Sequence, residues 1–242
     1  MSRHPRRVVV LTGAGISAES GLRTFRAADG LWEDHRVEDV ATPEAFAGDP
    51  ALVHRFYNAR RAQHEGTVSG TTPVAPNAAH LALARFEREF SGHLVVVTQN
   101  VDALHERAGS KNVLHMHGEL LKMRCDATGE VYPWLGDCTP NHVCDCCGLP
   151  GRLRPDIVWF GEMPFFMREI EASLYSCDLF VSIGTSGNVC PAAGFFLVAR
   201  QNGARAVELN LEPSKNSAEF DDGHYGPGTE VVPRFFDELL EN

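Results

Sequence analysis

Two histidines stand two residues apart, His115 and His117, the second directly before Gly118. Imidazole is the side chain whose ordinary pKa lies in the working range, so either is a candidate general base; either also reads as a buried structural histidine. Asn100 and Asp102 follow the apolar run Leu94–Thr98. An amide and a carboxylate there can orient a ligand carboxamide, although Asp102 equally suits the N-cap of a helix over 102–108. The run Val8–Leu11 leads into Thr12-Gly13-Ala14-Gly15-Ile16-Ser17-Ala18. A strand, two glycines and a small residue opening a helix can cradle a pyrophosphate. Gly13 makes the turn, Gly15 admits close approach of backbone N–H groups, and Ala18 lets helix pack on strand. A tight structural turn carries the same pattern.

The residues after Ala18 depart from a dehydrogenase. Glu19-Ser20-Gly21-Leu22-Arg23-Thr24-Phe25-Arg26 brings another glycine and two arginines. No strand ending in an acidic residue appears about twenty residues on. The sequence therefore points to a dinucleotide without hydride transfer. Tyr57 and Arg60, three apart on an expected helix, share a face; a phenol and a guanidinium together can grip a carboxylate, the plain alternative being a solvated Arg beside a core Tyr. Of seven cysteines, five lie between Cys125 and Cys147, with Cys177 and Cys190 apart as ordinary buried thiols. Cys144 and Cys147 form one C-x-x-C pair. The other knuckle is broken, because Thr128 stands three residues after Cys125; Cys138 or His142 is left to complete a tetrahedron.

These residues need a scaffold to bring them together. Runs at Arg7–Leu11, Leu94–Thr98, Leu179–Ile183 and Ala206–Leu209 read as strands buried on both faces of a parallel sheet. Helices are expected from Pro50 to about His64 and over Asn77–Glu89, Asp102–Ala108, Pro191–Gln201 and Pro233–Leu240. The expected class is α/β, a Rossmann-like doubly wound parallel sheet. Residues 24–75 and 119–155 break the alternation and read as two insertions, one helical and one zinc-binding, building a smaller lobe. The core then comprises approximately 1–23, 76–118 and 156–242 of a single domain of 242 residues. With 22 Lys+Arg against 32 Asp+Glu the formal net charge is −10, a poor balance for nucleic-acid binding. No apolar run is long enough for a membrane span, and no export signal is read at the N-terminus.

Residues 13–26 resemble the signature of the sirtuins, the NAD-dependent protein-lysine deacylases. Four further blocks agree in order: Thr98-Gln99-Asn100-Val101-Asp102, His115-Met116-His117-Gly118, Gly184-Thr185-Ser186 and Asn210-Leu211-Glu212. The resemblance runs from residue 8 to about 235. It implies that an acyl oxygen on lysine displaces nicotinamide from NAD, with free lysine and O-acyl-ADP-ribose as the other products. It selects His117 as the base, with Asn100 also catalytic. It assigns cofactor binding to Gly13, Ala14, Gly15, Ile16, Ser17 and Glu19, and to Phe25, Arg26 and Trp32. Gln99, Asn100, Val101 and Asp102 are assigned to the nicotinamide and its ribose. Gly184, Thr185 and Ser186, then Asn210, Leu211, Glu212 and Gly228, complete the phosphate and adenosine end. Trp159, Phe160 and Gly161 resemble the segment that pairs with substrate peptide. Tyr57 and Arg60 resemble the desuccinylase branch of the bacterial type. Cys125 and Cys144 match family zinc ligands, and with Cys147 they imply one structural ion. The implied protein is a cytoplasmic monomer acting on acetyl- and succinyl-lysine proteins, with no nucleic-acid or membrane partner. Two alternatives are a mono-ADP-ribosyltransferase on the same fold and a non-catalytic NAD-sensing module.

Overall fold

The apolar runs pair side by side because each can be buried on both faces. The computed structural model describes residues 5–23, 31–32, 35–65 and 74–241; Phe25 and Arg26 lie outside them, and Trp32 is described in its backbone only. Among the described residues six strands form a parallel sheet: β1 (Arg7–Thr12), β4 (His93–Thr98), β5 (Val113–His115), β9 (Leu179–Ile183), β10 (Arg205–Asn210) and β11 (Asp222–Tyr225). Their order is β11-β10-β9-β1-β4-β5, with Val10 of β1 opposite Val96 on one side and Val181 on the other. Side chains alternate between faces along each strand. Val8, Val10, Val96 and Val181 pack with Leu83 and Phe86 of α5 (Ala78–Glu89) and Phe236 of α9 (Gly228–Glu241). Val9, Leu11, Val97 and Phe180 pack on the opposite face with Leu174 of α7 (Met167–Ser176) and Phe196 of α8 (Phe195–Gln201). Each such large apolar side chain contributes about 1.5–3 kcal/mol on burial. This is the doubly wound α/β arrangement expected from the alternation.

Two strands are added to those expected, and three helices shift their boundaries. Strands β5 and β11 at the two sheet edges are additional. The helix expected from Pro191 divides into a single 3₁₀ turn, Ala192–Gly194, followed by α8. α6 (Leu104–Ala108) starts two residues after Asp102, whose Oδ1 accepts from the Leu104 N–H at 3.0 Å. α9 begins at Gly228 and holds Pro233 inside it.

A second layer is built from the remaining elements. A two-residue ribbon, β2 (Leu31–Trp32) with β3 (His35–Arg36), leads to α2 (Val37–Val40), α3 (Pro43–Gly48) and α4 (Pro50–Glu65). Antiparallel β6 (Gly118–Cys125), β7 (Val131–Pro133) and β8 (Leu153–Ile157) form a small sheet in the order β7-β6-β8. α1 (Gly15–Ala18) follows the glycine turn. α4 lies against the small sheet through Val53, Phe56 and Tyr57, which bury with Leu120, Ile157 and Trp159. Arg61, wholly buried, donates from Nε to the Gly136 carbonyl at 2.9 Å. Asn58 Nδ2 donates to the Cys138 carbonyl at 2.9 Å, so one helix is tied to the cysteine-rich segment by two side chains.

Candidate active site

A cleft of about 1450 Å³ opens at the carboxyl ends of β1, β4, β9 and β10, between the parallel sheet and the α4–β8 layer. Ligands of open α/β sheets bind at this position, beside the strand where the order reverses. The glycine turn forms one wall. Gly13 N–H donates to the Ile183 carbonyl and Gly15 N–H to the Gly184 carbonyl, both at 2.9 Å. A Cβ on Gly15 would stand 2.7 Å from Gly184 Cα, and one on Gly184 (φ +61°) 2.5 Å from Ile16 N. The close approach that Gly15 permits is thus first to another turn of the protein. Ala14, Ile16 and Ser17 also line the cleft.

The floor is a hydrogen-bonded group around Asn100. Its N–H donates to Thr98 Oγ1 at 3.0 Å. Both Nδ2 hydrogens are spent, on Gly13 O and Ser17 Oγ at 3.1 Å each, so Asn100 offers a ligand its Oδ1 acceptor. Ser17 Oγ donates to Asp102 Oδ2 at 3.0 Å. Asp102 therefore caps α6 with one oxygen and secures the glycine turn with the other, and it still lines the cleft beside Gln99 and Val101. His117 Nδ1 sits 3.1 Å from the Gln99 carbonyl. A carbonyl only accepts, so Nδ1 carries the proton and Nε2 of the neutral ring keeps its lone pair. Burial pushes the His117 pKa down, and the bond to Gln99 opposes this.

Gly184, Thr185 and Ser186 close the far wall, with Asn210 held by Nδ2 donating to the Thr185 carbonyl at 2.9 Å. Leu211, Glu212 and Gly228 complete that end. Glu19 lines it too, with both carboxylate oxygens engaged: Thr229 N–H donates at 2.9 Å and Thr229 Oγ1 at 2.8 Å. It caps the start of α9.

Tyr57 and Arg60 open on the same cleft from α4. Tyr57 is fully buried, and its hydroxyl accepts from Trp159 Nε1–H at 2.9 Å. Burial pushes the phenol above its ordinary range, which keeps it a proton donor. The Arg60 guanidinium carbon lies 4.9 Å from the Phe56 ring centroid. Trp159, Phe160 and Gly161 line the mouth. The Arg154 guanidinium covers the Trp159 ring at 3.5 Å, and its two terminal nitrogens clamp Glu162 at 2.7 and 2.8 Å. Sequence reasoning missed Arg154, an arginine in an otherwise ordinary strand. It also missed His64, buried in the cleft wall, whose Nε2 accepts from Ala103 N–H at 3.3 Å. Its spacing, four residues beyond Arg60 and seven beyond Tyr57, marks it as part of the same helical face.

The cysteines require a correction. Cys125, Cys144, Cys146 and Cys147 bring their sulfurs within 4.8 Å of one another. Cys146 belongs to the group, whereas Cys138 and His142 do not. Cys138 N–H is bonded to Asn58 Oδ1 at 3.0 Å, and His142 Nδ1 accepts from Thr139 N–H at 3.0 Å. Thr128, at the place of the missing knuckle cysteine, puts Oγ1 3.0 Å from Cys146 Sγ. Four thiols this close fit a structural zinc ion, whose Zn–S length of about 2.3 Å spaces sulfurs by about 3.8 Å; Cys125 and Cys147 stand 3.8 Å apart.

A nucleotide-sized cleft at the strand ends, a half-buried histidine with Nε2 unprotonated and a four-thiol site on a side sheet define a class. Residues 13–191 match the Sir2 family, and the chain belongs to it. It is 58% identical over 241 residues to the NAD-dependent protein deacylase of Salmonella typhimurium, covering 100% of this chain and 86% of that one. Among solved structures it superposes with a TM-score of 0.87 and 37% identity on a mutant Sir2 homologue in complex with ADP ribose, over 98% of this chain and 93% of the other. A Sir2 homologue in complex with NAD gives a TM-score of 0.85 at 37% identity, over 98% and 90% of the two chains.

Proposed function

We propose that this cleft removes acyl groups from protein lysine side chains with NAD as the consumed co-substrate, and that it accepts succinyl-lysine as well as acetyl-lysine. The observation that carries the reading is the presence of Tyr57, Arg60 and His117 in one cleft with the glycine turn. NAD supplies a ribose whose bond to nicotinamide breaks in favour of the acyl oxygen. His117, proton on Nδ1 and lone pair on Nε2, is the base that takes a proton from the ribose hydroxyl. Asn100 and Asp102 hold the nicotinamide end, Asn100 through its Oδ1. Ile16 keeps water from the reacting carbon. Thr185, Ser186, Asn210 and Glu212 bind the phosphates and adenosine ribose. Trp159, Phe160 and Gly161 take the substrate backbone, and Arg154 and Glu162 keep Trp159 in place. Arg60 and the Tyr57 phenol grip the carboxylate of a succinyl group.

The same reading includes a single catalytic domain, a parallel-sheet core with two insertions, working as a monomer in the cytoplasm. Its acidic balance, net charge −10, favours protein over nucleic-acid partners. The cysteine group carries structural zinc and takes no part in the reaction. The test is mass spectrometry of matched acetyl- and succinyl-lysine peptides with and without NAD. Loss of acyl mass and release of nicotinamide support the reading. A gain of ADP-ribosyl mass on the target would replace it with ADP-ribosyl transfer.

A further inference from the structure

We propose that His115, the neighbour of the base in sequence, is a positioning residue: its ring, locked by Glu106, holds the carbonyl of Asn100 and so fixes the turn on which His117 is oriented. His115 is 5% exposed. Its Nδ1 lies 3.1 Å from the Asn100 carbonyl and its Nε2 2.8 Å from Glu106 Oε1. Both partners are acceptors, so the ring satisfies both only as a double donor, an imidazolium. His117 makes the matching bond one residue back, from its Nδ1 to the Gln99 carbonyl. Two alternate histidines thus hold two successive carbonyls of one turn. Asn100 is then fixed at its N–H by Thr98, at Nδ2 by Gly13 and Ser17, and at its carbonyl by His115. Only the last of these bonds comes from the far side of the turn, from β5.

The charges around His115 favour this state. Burial alone would push its pKa down, but the bond and charge of Glu106, with Glu119 of β6 behind them, hold it above its ordinary value. His105 of α6 also faces it and is itself kept neutral by burial. Lys122 is engaged with Glu119 at 2.5 Å. A raised pKa on a base stabilises the fold fully below the unfolded value, about 6.5, and that contribution fades as pH rises through the folded value.

The kinetic arm of the test rests on the deacylase reading; the spectroscopic arm does not. His115→Leu should lower kcat for nicotinamide release about ten-fold or more, the scale expected of a misplaced site group, with the peptide KM changed less than about two-fold. His115→Asn, whose amide N–H stands where Nδ1 stood, should recover most of that kcat although it also loses the Glu106 pair. The thermal midpoint should drop in both. Equal kcat losses in the two variants, or a wild-type kcat in the leucine variant, would overturn the assignment. If the leucine variant does not fold, Glu106→Leu serves: its ring keeps Nδ1–H on the Asn100 carbonyl but loses its anchor at Nε2, so kcat should fall about three-fold or more with the peptide KM changed less than about two-fold. A wild-type kcat in that variant overturns the proposal. The imidazole ¹⁵N signals of the wild-type protein should show both His115 nitrogens protonated at neutral pH, and a neutral ring would sink the geometry. A wild-type enzyme that releases no nicotinamide would sink the deacylase reading and leave that spectrum untouched.

Discussion

His117 is half-buried, and the Gln99 carbonyl fixes which of its nitrogens carries the proton, so the neutral ring keeps the Nε2 lone pair that the proposed base needs. A pKa pushed below its ordinary value means that the basic form persists to lower pH. The acid limb of kcat/KM should therefore fall below the usual histidine value of about 6.5. A pH profile of nicotinamide release checks this, and a limb at or above that value would assign the base elsewhere. His117→Ala should cost about a hundred-fold or more in turnover. Arg60 makes a different prediction. Its charge matters only where the acyl chain carries one, so Arg60→Met should abolish desuccinylation and largely spare deacetylation. Equal losses on paired peptides would remove the selectivity argument. The spacing of these residues was legible in the sequence, since His117 precedes glycine and Tyr57 and Arg60 share a helical face. Double duty was not: Asp102 reads as either a helix cap or a ligand group, and one carboxylate with two oxygens turns out to serve the helix and Ser17 together.

The elements that carry these side chains were readable where burial is complete. Strands β1, β4, β9 and β10 are apolar on both faces, and only a two-sided sheet uses such runs. The edge strands lack that signature. β11 is Asp222-Gly223-His224-Tyr225, which reads as a turn, and β5 has three residues with only His115 buried. The start of α9 was obscured by Pro233, which deprives the helix of one N–H. The helix nonetheless begins at Gly228, because Glu19 caps Thr229 and because Val231, Val232, Phe235 and Phe236 bury one face. The pattern of two glycines was legible, but their partner was not. Gly184 lies about 170 residues further on (a position that chain order alone does not relate to the turn). Gly184→Ala tests the contact. The new methyl would meet Ile16 N at 2.5 Å in a left-handed backbone conformation, so a loss of about 3 kcal/mol is expected in urea unfolding. A stability within experimental error of wild type would mean that the two turns part easily.

At the scale of the molecule, the cysteine group and His117 sit at opposite ends of one strand. β6 begins at Gly118, next to His117, and ends at Cys125 in the thiol cluster. Eight residues at about 3.3 Å each put roughly 26 Å between them. β8 pairs with β6 and runs on towards Trp159, so the small sheet links His117, which directly precedes β6, to the residues at the cleft mouth. A metal here acts by holding that sheet together, since no cysteine of the cluster lines the cleft. Stripping it with a chelator should lower the thermal midpoint and raise the KM for acyl peptide more than the Kd for NAD, whose glycine turn belongs to the parallel sheet. Cys146→Ser should reduce bound zinc, measured by elemental analysis, while Cys138→Ser and His142→Ala should leave one ion per chain. C-x-x-C spacing concealed this assignment because Thr128 replaces one cysteine in sequence while Cys146 fills the gap in space. Full zinc in the Cys146 variant, with loss in the Cys138 variant, would restore the set that spacing alone suggests.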